Sequence, residues 1–177
     1  MEFTADPAAL RRAAFIIIAV PTPIHADKTP DLLPLLSACR LVGENLSPES
    51  IIVFESTVYP GVTEEICLPL IEKTCGLQCG TAFSAGYSPE RINPGDLEHR
   101  LENIKKLVAA VDDRTLAEIS AVYNEIIMAG VYPTASIKVA ETAKLVENTQ
   151  RDVNIAFMNE MAMFCARLGI STGAVLE

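Results

Sequence analysis

The sequence has no apolar run that is long enough to cross a membrane. Its longest such run, Ala13 to Val20, is far shorter than the roughly 20 residues that a membrane-spanning helix needs. The N-terminus also lacks the basic region followed by an apolar stretch that marks a secretory signal. We therefore expect a cytoplasmic protein with no membrane partner.

Basic residues are also scarce. The chain of 177 residues has 14 Lys and Arg against 23 Asp and Glu, which gives a formal net charge of −9. An acidic surface repels phosphate backbones, so we expect no nucleic-acid partner. A small anionic ligand is still compatible with this charge, because it responds to local dipoles. Half of the residues are apolar, which predicts a folded chain with a sizeable core.

Metal-binding motifs of cysteine and histidine are missing. Cys67, Cys75 and Cys79 form no CxxC pair, and the two histidines, His25 and His99, lie far from them. Because zinc sites use closely spaced ligands, we expect no metal and interpret these cysteines as small core residues and a loop thiol. An odd number of cysteines, five, without an export signal indicates a reducing compartment.

What the sequence does contain is an alternation of short apolar runs with helical patterns. The predicted strands are Phe15 to Val20, buried on both faces, Ser50 to Phe54, Thr81 to Tyr87 and Lys106 to Val111. The predicted helices cover residues 7–12, 32–46, 62–74, 114–128 and 136–168. Strands that alternate with helices at this spacing predict an α/β fold with a parallel sheet and right-handed crossovers.

Polar side chains follow three of the predicted strands. These segments are Val20-Pro-Thr-Pro23, Glu55-Ser-Thr-Val58 and Ser88-Pro-Glu90. Because parallel strands end at the same edge of a sheet, and ligands bind in the crevice there, the three segments are predicted to line one crevice. The alternative is that they are ordinary turns, since Pro, Ser and Thr are common where strands end.

The long C-terminal helix carries a lysine and an asparagine on one face. Lys144 and Asn148 are four residues apart and could offer an ammonium and an amide to one oxygen atom. The alternative is a solvated lysine beside an asparagine on the polar side of the helix. The second half of the helix, Val153 to Leu168, is apolar over most of its surface, which favours a helix that joins domains or subunits.

Four sequence blocks in this order resemble the UDP-glucose/GDP-mannose dehydrogenase family. They are AVPT (residues 19–22), ESTVYPGVTE (residues 55–64), SPERINPGD (residues 88–96) and KLVENTQRDVNI (residues 144–155). The resemblance covers nearly the whole chain and is strongest to the UDP-N-acetylhexosamine 6-dehydrogenases of capsular and Vi-type polysaccharide synthesis.

The resemblance implies the later part of a Rossmann-like parallel sheet, followed by a long central helix that also forms a homodimer. It implies NAD as the cofactor and a UDP-sugar as the substrate. The family oxidises the C6 hydroxymethyl group to a carboxylate with two NAD in succession, through an aldehyde and a thioester formed on a cysteine. Val20, Pro21, Thr22 and Ser56 match positions that line the NAD site.

The resemblance also implies four catalytic positions. Thr57 matches the threonine that orders a catalytic water, and it lines the NAD site as well. Glu90 matches a glutamate near C6 with an acid–base role, and it is expected beside the cofactor. Lys144 and Asn148 match the pair that stabilises the developing oxyanion.

The sequence departs from the family pattern in three ways. It has no GxGxxG turn, the family's nucleophilic cysteine block has no counterpart, and Pro94 replaces a second glutamate of some relatives. We therefore expect residues 1–133 to be the C-terminal portion of an NAD-binding domain and residues 134–177 to be the central helix and the start of a middle domain. We expect the UDP-binding domain to be absent and the chain to be an incomplete enzyme that is inactive alone.

Two other interpretations remain open from the sequence. The chain could be a non-catalytic remnant or dimerisation module of that family. It could also be a 3-hydroxyacid-type dehydrogenase, whose related fold places a Lys and an Asn on a central helix, although the SPERINPGD block disfavours that reading.

Overall fold

The computed structural model of the chain describes residues 2–92 and 103–177. The elements in chain order are a 3-10 helix Pro7–Arg12, β1 Phe15–Ile18, α1 Leu33–Asn45, β2 Ile51–Phe54, a π-helical turn Thr63–Cys67, α2 Leu68–Cys75, β3 Ser84–Tyr87, β4 Lys106–Ala110, α3 Asp113–Asn124, β5 Val131–Pro133, α4 Ile137–Leu168 and α5 Thr172–Leu176. The chain divides into two compact units, residues 1–142 and residues 143–177.

Helix starts and ends follow the local signals in the sequence. Asp6 accepts a hydrogen bond from the N–H of Ala8 at the start of the 3-10 helix, and Asp31 accepts one from Leu33 at the start of α1. Gly169 ends α4 with a φ of 72°, a left-handed conformation that glycine adopts without strain. The predicted start of the 3-10 helix and the predicted end of α4 are therefore confirmed, and α1 begins one residue later than predicted.

The five strands of the described residues form one sheet in the order β1-β2-β3-β4-β5. β1, β2 and β3 are parallel, and their last residues Ile18, Phe54 and Tyr87 lie side by side in the register. Helices α1 and α2 pack with one face of this sheet in a common core, and α3 packs against the other face. The predicted α/β class is confirmed.

The second half of the sheet differs from the all-parallel prediction. β4 runs antiparallel to β3, with Tyr87 opposite Ala109, and the short strand β5 runs parallel to β4. A parallel neighbour requires a crossover, usually a helix, whereas an antiparallel neighbour does not.

The prediction that β1 is buried on both faces is wrong. Ile16 and Ile18 are buried in the core with α1, but Ile17 on the other face is 48% exposed. Helix α3 contacts β3, β4 and β5 on that face, and its Tyr123 ring packs against Phe15 at the start of β1, but it leaves Ile17 uncovered. A continuous β-branched run therefore does not distinguish a central strand from a strand at the side of the sheet.

The C-terminal part of the chain contains the long predicted helix and two elements that the sequence did not predict. β5 occupies Val131–Pro133, between two predicted helices, and the short helix α5 follows α4. Within α4, Val153, Phe157 and Phe164 are each more than half exposed. No helix in residues 2–92 and 103–177 is long and apolar enough to cross a membrane.

Candidate functional site

The segments that follow β1, β2 and β3 meet in one crevice of the first unit. Because the three strands are parallel and in register, their carboxyl ends lie at the same edge of the sheet. The crevice has a volume of about 450 Å³ and is lined by Ala19, Val20, Pro21, Thr22, Glu55, Ser56, Thr57 and Glu90. The prediction that these three segments line a common crevice is confirmed.

The Ser56 hydroxyl joins two of these segments. It donates a hydrogen bond to the carbonyl oxygen of Val20 at 2.7 Å, and Ser56 is only 4% exposed. The hydroxyl of Tyr87 donates to the carbonyl oxygen of Ser56 at 3.3 Å. Burial raises the pKa of Tyr87 above its ordinary value, so this hydroxyl keeps its proton. Ser56 therefore holds the Val20–Thr22 segment against β2.

Two threonines supply the other hydroxyls of the crevice. Thr57 is exposed. Thr22 is half-buried, and its Oγ1 has no hydrogen-bond partner among the described residues. A buried hydroxyl without a partner is costly, and rotation about χ1 would let Thr22 meet a polar group of a bound molecule.

Glu90 is held by the backbone of its own loop. Its Oε1 accepts hydrogen bonds from the N–H groups of Arg91 and Ile92, both at 2.7 Å. The side chain remains 40% exposed at the crevice. A carboxylate that is fixed by two amides and open to the crevice is suited to hold a substrate hydroxyl or a water molecule.

A buried lysine lies behind the two glutamates of the crevice, and sequence reasoning missed it. Lys106 is 5% exposed, and its Nζ lies 3.0 Å from Glu55 Oε1 and 3.5 Å from Glu90 Oε2. Tyr123 donates its hydroxyl to Glu55 Oε1 at 2.5 Å. Burial, together with this hydrogen bond, raises the pKa of Tyr123, so the phenol stays protonated. The sequence signal that could have revealed it is a lysine at the start of an apolar strand, because a lysine that is buried there requires partners of opposite charge.

The loop after Thr57 is anchored by a buried carboxylate. Glu141, in the first turns of α4, is fully buried and accepts hydrogen bonds from the N–H groups of Gly61 at 2.6 Å and Thr63 at 3.0 Å. These amides lie at the start of the π-helical turn that leads into α2, where N–H groups have no partners within the helix. Glu141 therefore fixes the chain that leaves the crevice at Thr57.

The predicted pair on α4 lies in the second unit. Lys144 is 8% exposed, whereas Asn148 is exposed. The six other predicted site residues, Val20, Pro21, Thr22, Ser56, Thr57 and Glu90, lie together in the first unit. The oxyanion role of Lys144 and Asn148 stays a prediction, and residues 93–96 of the SPERINPGD block, with Pro94, lie outside the described residues.

The five cysteines, all of them in the described part of the chain, are free thiols, and the four in the first unit do not line the crevice. Cys39 and Cys67 lie in the core between helices, and Cys165 is buried as well. Burial and the charge of Glu72 raise the pKa of Cys79 to about 11, which keeps it a thiol at neutral pH.

Comparison with known proteins identifies both segments of the chain. Residues 1–127 match the NAD binding domain of the UDP-glucose/GDP-mannose dehydrogenase family, and residues 138–177 match the central domain of that family. Over its whole length the chain is 54% identical to CapL from Staphylococcus aureus and 49% identical to the UDP-N-acetyl-D-glucosamine 6-dehydrogenase from Pseudomonas aeruginosa.

A solved structure supports the same assignment. The UDP-D-ManNAc dehydrogenase from Pyrococcus horikoshii matches with a TM-score of 0.89 at 32% identity, over 97% of this chain and 40% of that protein. The chain spans 42% of the length of the two curated relatives. The sequence blocks, the crevice and the two domain matches agree, and the chain therefore belongs to the UDP-glucose/GDP-mannose dehydrogenase family.

Proposed function

We propose that this chain supplies part of the NAD-binding crevice of an NAD-dependent UDP-N-acetylhexosamine 6-dehydrogenase. The observation that carries the proposal is the crevice of Thr22, Thr57 and Glu90 at the carboxyl ends of β1, β2 and β3, within the segment that matches the NAD binding domain. Open α/β sheets bind their ligands at this edge. The relatives that bear such names act on UDP-N-acetylglucosamine or UDP-N-acetylmannosamine.

The residues of the crevice fit the nicotinamide end of NAD. The Thr22 hydroxyl, which has no partner within the described residues, can bond to an amide or a ribose hydroxyl. Among the described residues that line the crevice, the charged side chains are the two carboxylates of Glu55 and Glu90. This excess of negative charge favours the cationic ring of oxidised NAD over its pyrophosphate.

The reaction converts an alcohol into a carboxylate, which removes four electrons from C6 and adds one oxygen atom from water. Bound NAD supplies the hydride acceptor, two molecules for each sugar. We assign to Glu90 the proton-accepting role, because its carboxylate is fixed by two amides and reaches the crevice. Thr57 orients the water molecule with its exposed hydroxyl.

Lys144 and Asn148 complete the proposed machinery. Negative charge develops on the C6 oxygen during the oxidation, and an ammonium with an amide one helical turn away can stabilise it. The exposed apolar face of α4, which includes Val153, Phe157 and Phe164, supports a homodimer formed through this helix. We place the reaction in the cytoplasm, as expected from the sequence.

The experiment measures NADH formation by the full-length product of the gene that encodes this chain. UDP-N-acetylglucosamine, UDP-N-acetylgalactosamine and UDP-N-acetylmannosamine are supplied separately with NAD. We expect two NADH for each molecule of the preferred sugar, and a uronate as the product. The absence of NADH with all three sugars would overturn the proposal.

A matched pair of variants tests the site itself. Glu90→Gln should lower kcat roughly a hundred-fold, the usual effect of losing a general base. Glu118→Gln is the control, because Glu118 lines a separate cavity with Glu49 and Thr81 and its side chain is 46% exposed against 40% for Glu90. Equal kcat values for the two variants would contradict the role of Glu90.

A further inference from the structure

Lys106 is placed behind the crevice, next to Glu55 and Glu90, by the reversal of chain direction between β3 and β4. In the antiparallel register Tyr87 lies opposite Ala109. Each step forward from Tyr87 corresponds to one step back from Ala109, so Glu90 comes opposite Lys106. A parallel β4 would carry its first residue to the opposite edge of the sheet. The antiparallel strand therefore delivers a lysine to the edge where the first three strands end.

The surroundings of Lys106 leave its ammonium little contact with water. The side chain is 5% exposed and does not line the crevice. Its Nζ lies 3.0 Å from Glu55, 3.5 Å from Glu90 and 5.3 Å from the centre of the Tyr123 ring. A buried ammonium is retained only where opposite charge and hydrogen bonds replace water, and the two carboxylates with the aromatic face supply this.

The two carboxylates in turn depend on Lys106. Glu55 and Glu90 follow neighbouring strands, so two like charges lie close together at one edge of the sheet. The ammonium lies within ion-pair distance of both and offsets their repulsion. Tyr123 and the amides of Arg91 and Ile92 complete the hydrogen bonds of the pair. These contacts therefore fix each carboxylate while it lines the crevice.

We propose that Lys106 is a positioning residue, which holds the carboxylates of Glu55 and Glu90 in fixed orientations along the crevice without touching the substrate. This rests on the proposed function, because the acid–base role of Glu90 comes from it. Loss of the ammonium lets the two carboxylates separate and rotate, so Glu90 no longer meets the reacting hydroxyl in one geometry.

The first test compares kcat with KM in the full-length gene product. Lys106→Met keeps the length of the side chain but removes its charge, and it should lower kcat roughly a hundred-fold, the cost of misplacing a catalytic group by about 1 Å. The KM for the UDP-sugar should change less than about threefold, because Lys106 contacts no substrate. Lys106→Arg, which restores the charge, should recover at least part of kcat.

The matched control is Lys105→Met, which removes an exposed lysine next to Lys106 in the chain. It should leave kcat and KM within about twofold of the wild-type values, as surface substitutions do. A Lys106→Met enzyme that melts at lower temperature but keeps wild-type kcat when folded would overturn the proposal. If Lys106→Met does not fold, Lys106→Gln carries the same expectation.

A second readout does not need activity. In the 177-residue chain, Glu90 Oε1 accepts hydrogen bonds from the N–H groups of Arg91 and Ile92. The hydrogen exchange of these two amides therefore reports the position of the carboxylate. Both amides should exchange faster in Lys106→Met and at the wild-type rate in Lys105→Met. Unchanged exchange in Lys106→Met would contradict the positioning role. If the full-length enzyme oxidises no UDP-sugar, the proposed function fails while this readout still decides the role of Lys106.

Discussion

At the scale of single residues, the hydroxyl groups of the crevice divide into two kinds. The Ser56 hydroxyl is committed to the carbonyl of Val20, where it joins two strand ends. The Thr22 hydroxyl has no partner within the described residues, and the Thr57 side chain is exposed. The first kind maintains the shape of the crevice, and the second is available to a ligand.

This division predicts opposite effects for two conservative substitutions. Ser56→Ala should cost about 1 kcal/mol of unfolding free energy, because it removes a buried hydrogen bond. Thr22→Val should leave the stability unchanged or slightly higher, but raise the KM for NAD roughly tenfold by removing one hydrogen bond to the cofactor. Urea unfolding and NAD-dependent kinetics measure the two effects. A Thr22→Val enzyme with an unchanged KM for NAD would remove Thr22 from the cofactor site.

Lys144 and Asn148 are predicted to act on the transition state. In the full-length gene product, Lys144→Ala should lower kcat roughly a hundred- to a thousand-fold with a much smaller effect on KM, because charge appears on the C6 oxygen only during the reaction. The double variant with Asn148→Ala should lose less than the product of the single losses, since both serve one oxygen atom. Near-wild-type turnover of Lys144→Ala would contradict a catalytic role for Lys144.

At the scale of the elements, β3 is packed so closely that one position excludes a side chain. A Cβ on Gly86 would lie 2.5 Å from the carbonyl oxygen of Ala109 in β4 and would also clash with the Ile119 side chain in α3. Gly86→Ala should therefore destabilise the chain by about 1–3 kcal/mol, the usual cost of overpacking a core.

Gly173→Ala in α5 is the control for Gly86→Ala, because a Cβ there meets nothing closer than 3.5 Å. This substitution should be neutral or slightly stabilising, since alanine favours a helix. Urea unfolding of the 177-residue chain measures both variants. Equal midpoints for Gly86→Ala and the wild type would contradict the close approach of β3, β4 and α3.

The second prediction for the elements concerns Glu141, through which α4 anchors the loop after Thr57. Glu141→Ala leaves the buried N–H groups of Gly61 and Thr63 without their acceptor and should cost about 3 kcal/mol of unfolding free energy. Glu65→Ala, which breaks an exposed ion pair with Lys138, should cost much less, because solvent screens a surface pair. A smaller loss for Glu141→Ala than for Glu65→Ala would contradict the anchoring role.

The elements also explain what the sequence could reveal about this site. Strand ends carry local signals, so the meeting of Thr22, Thr57 and Glu90 was predictable from three apolar runs and their order. The direction of β4 is not a local property, because it depends on how the chain returns to the sheet. The burial of Lys106 beside Glu90 depends on that direction, and sequence reasoning therefore missed it. The exposure of Ile17 was missed for a similar reason, because it depends on the distant helix α3.

At the scale of the whole molecule, the exposed apolar face of α4 predicts self-association. Val153, Phe157 and Phe164 recur at four- and seven-residue steps on one side of the helix and are each more than half exposed. Contiguous apolar surface of this kind rarely stays in contact with water. We expect the chain to associate at micromolar concentration, measured by light scattering, and the double variant Phe157→Glu, Phe164→Glu to weaken this association.

Asn159→Glu is the control for this double variant, because Asn159 is exposed and lies two residues from Phe157, nearly on the opposite side of α4. It adds negative charge to the helix without touching the apolar face. Equal weakening by Asn159→Glu would show that net charge, rather than the apolar face, controls the association. A clean monomer of the wild-type chain would contradict the prediction outright.

The central claim is that the crevice at the carboxyl ends of β1, β2 and β3 receives the nicotinamide end of NAD. The most direct measurement is a crystal structure of the full-length gene product with NAD and UDP-N-acetylglucosamine bound. We expect the nicotinamide ring to lie between Thr22 and Glu90, with the Thr22 hydroxyl bonded to the cofactor and the Glu90 carboxylate facing C6 of the sugar. A nicotinamide ring bound away from these strand ends would contradict it.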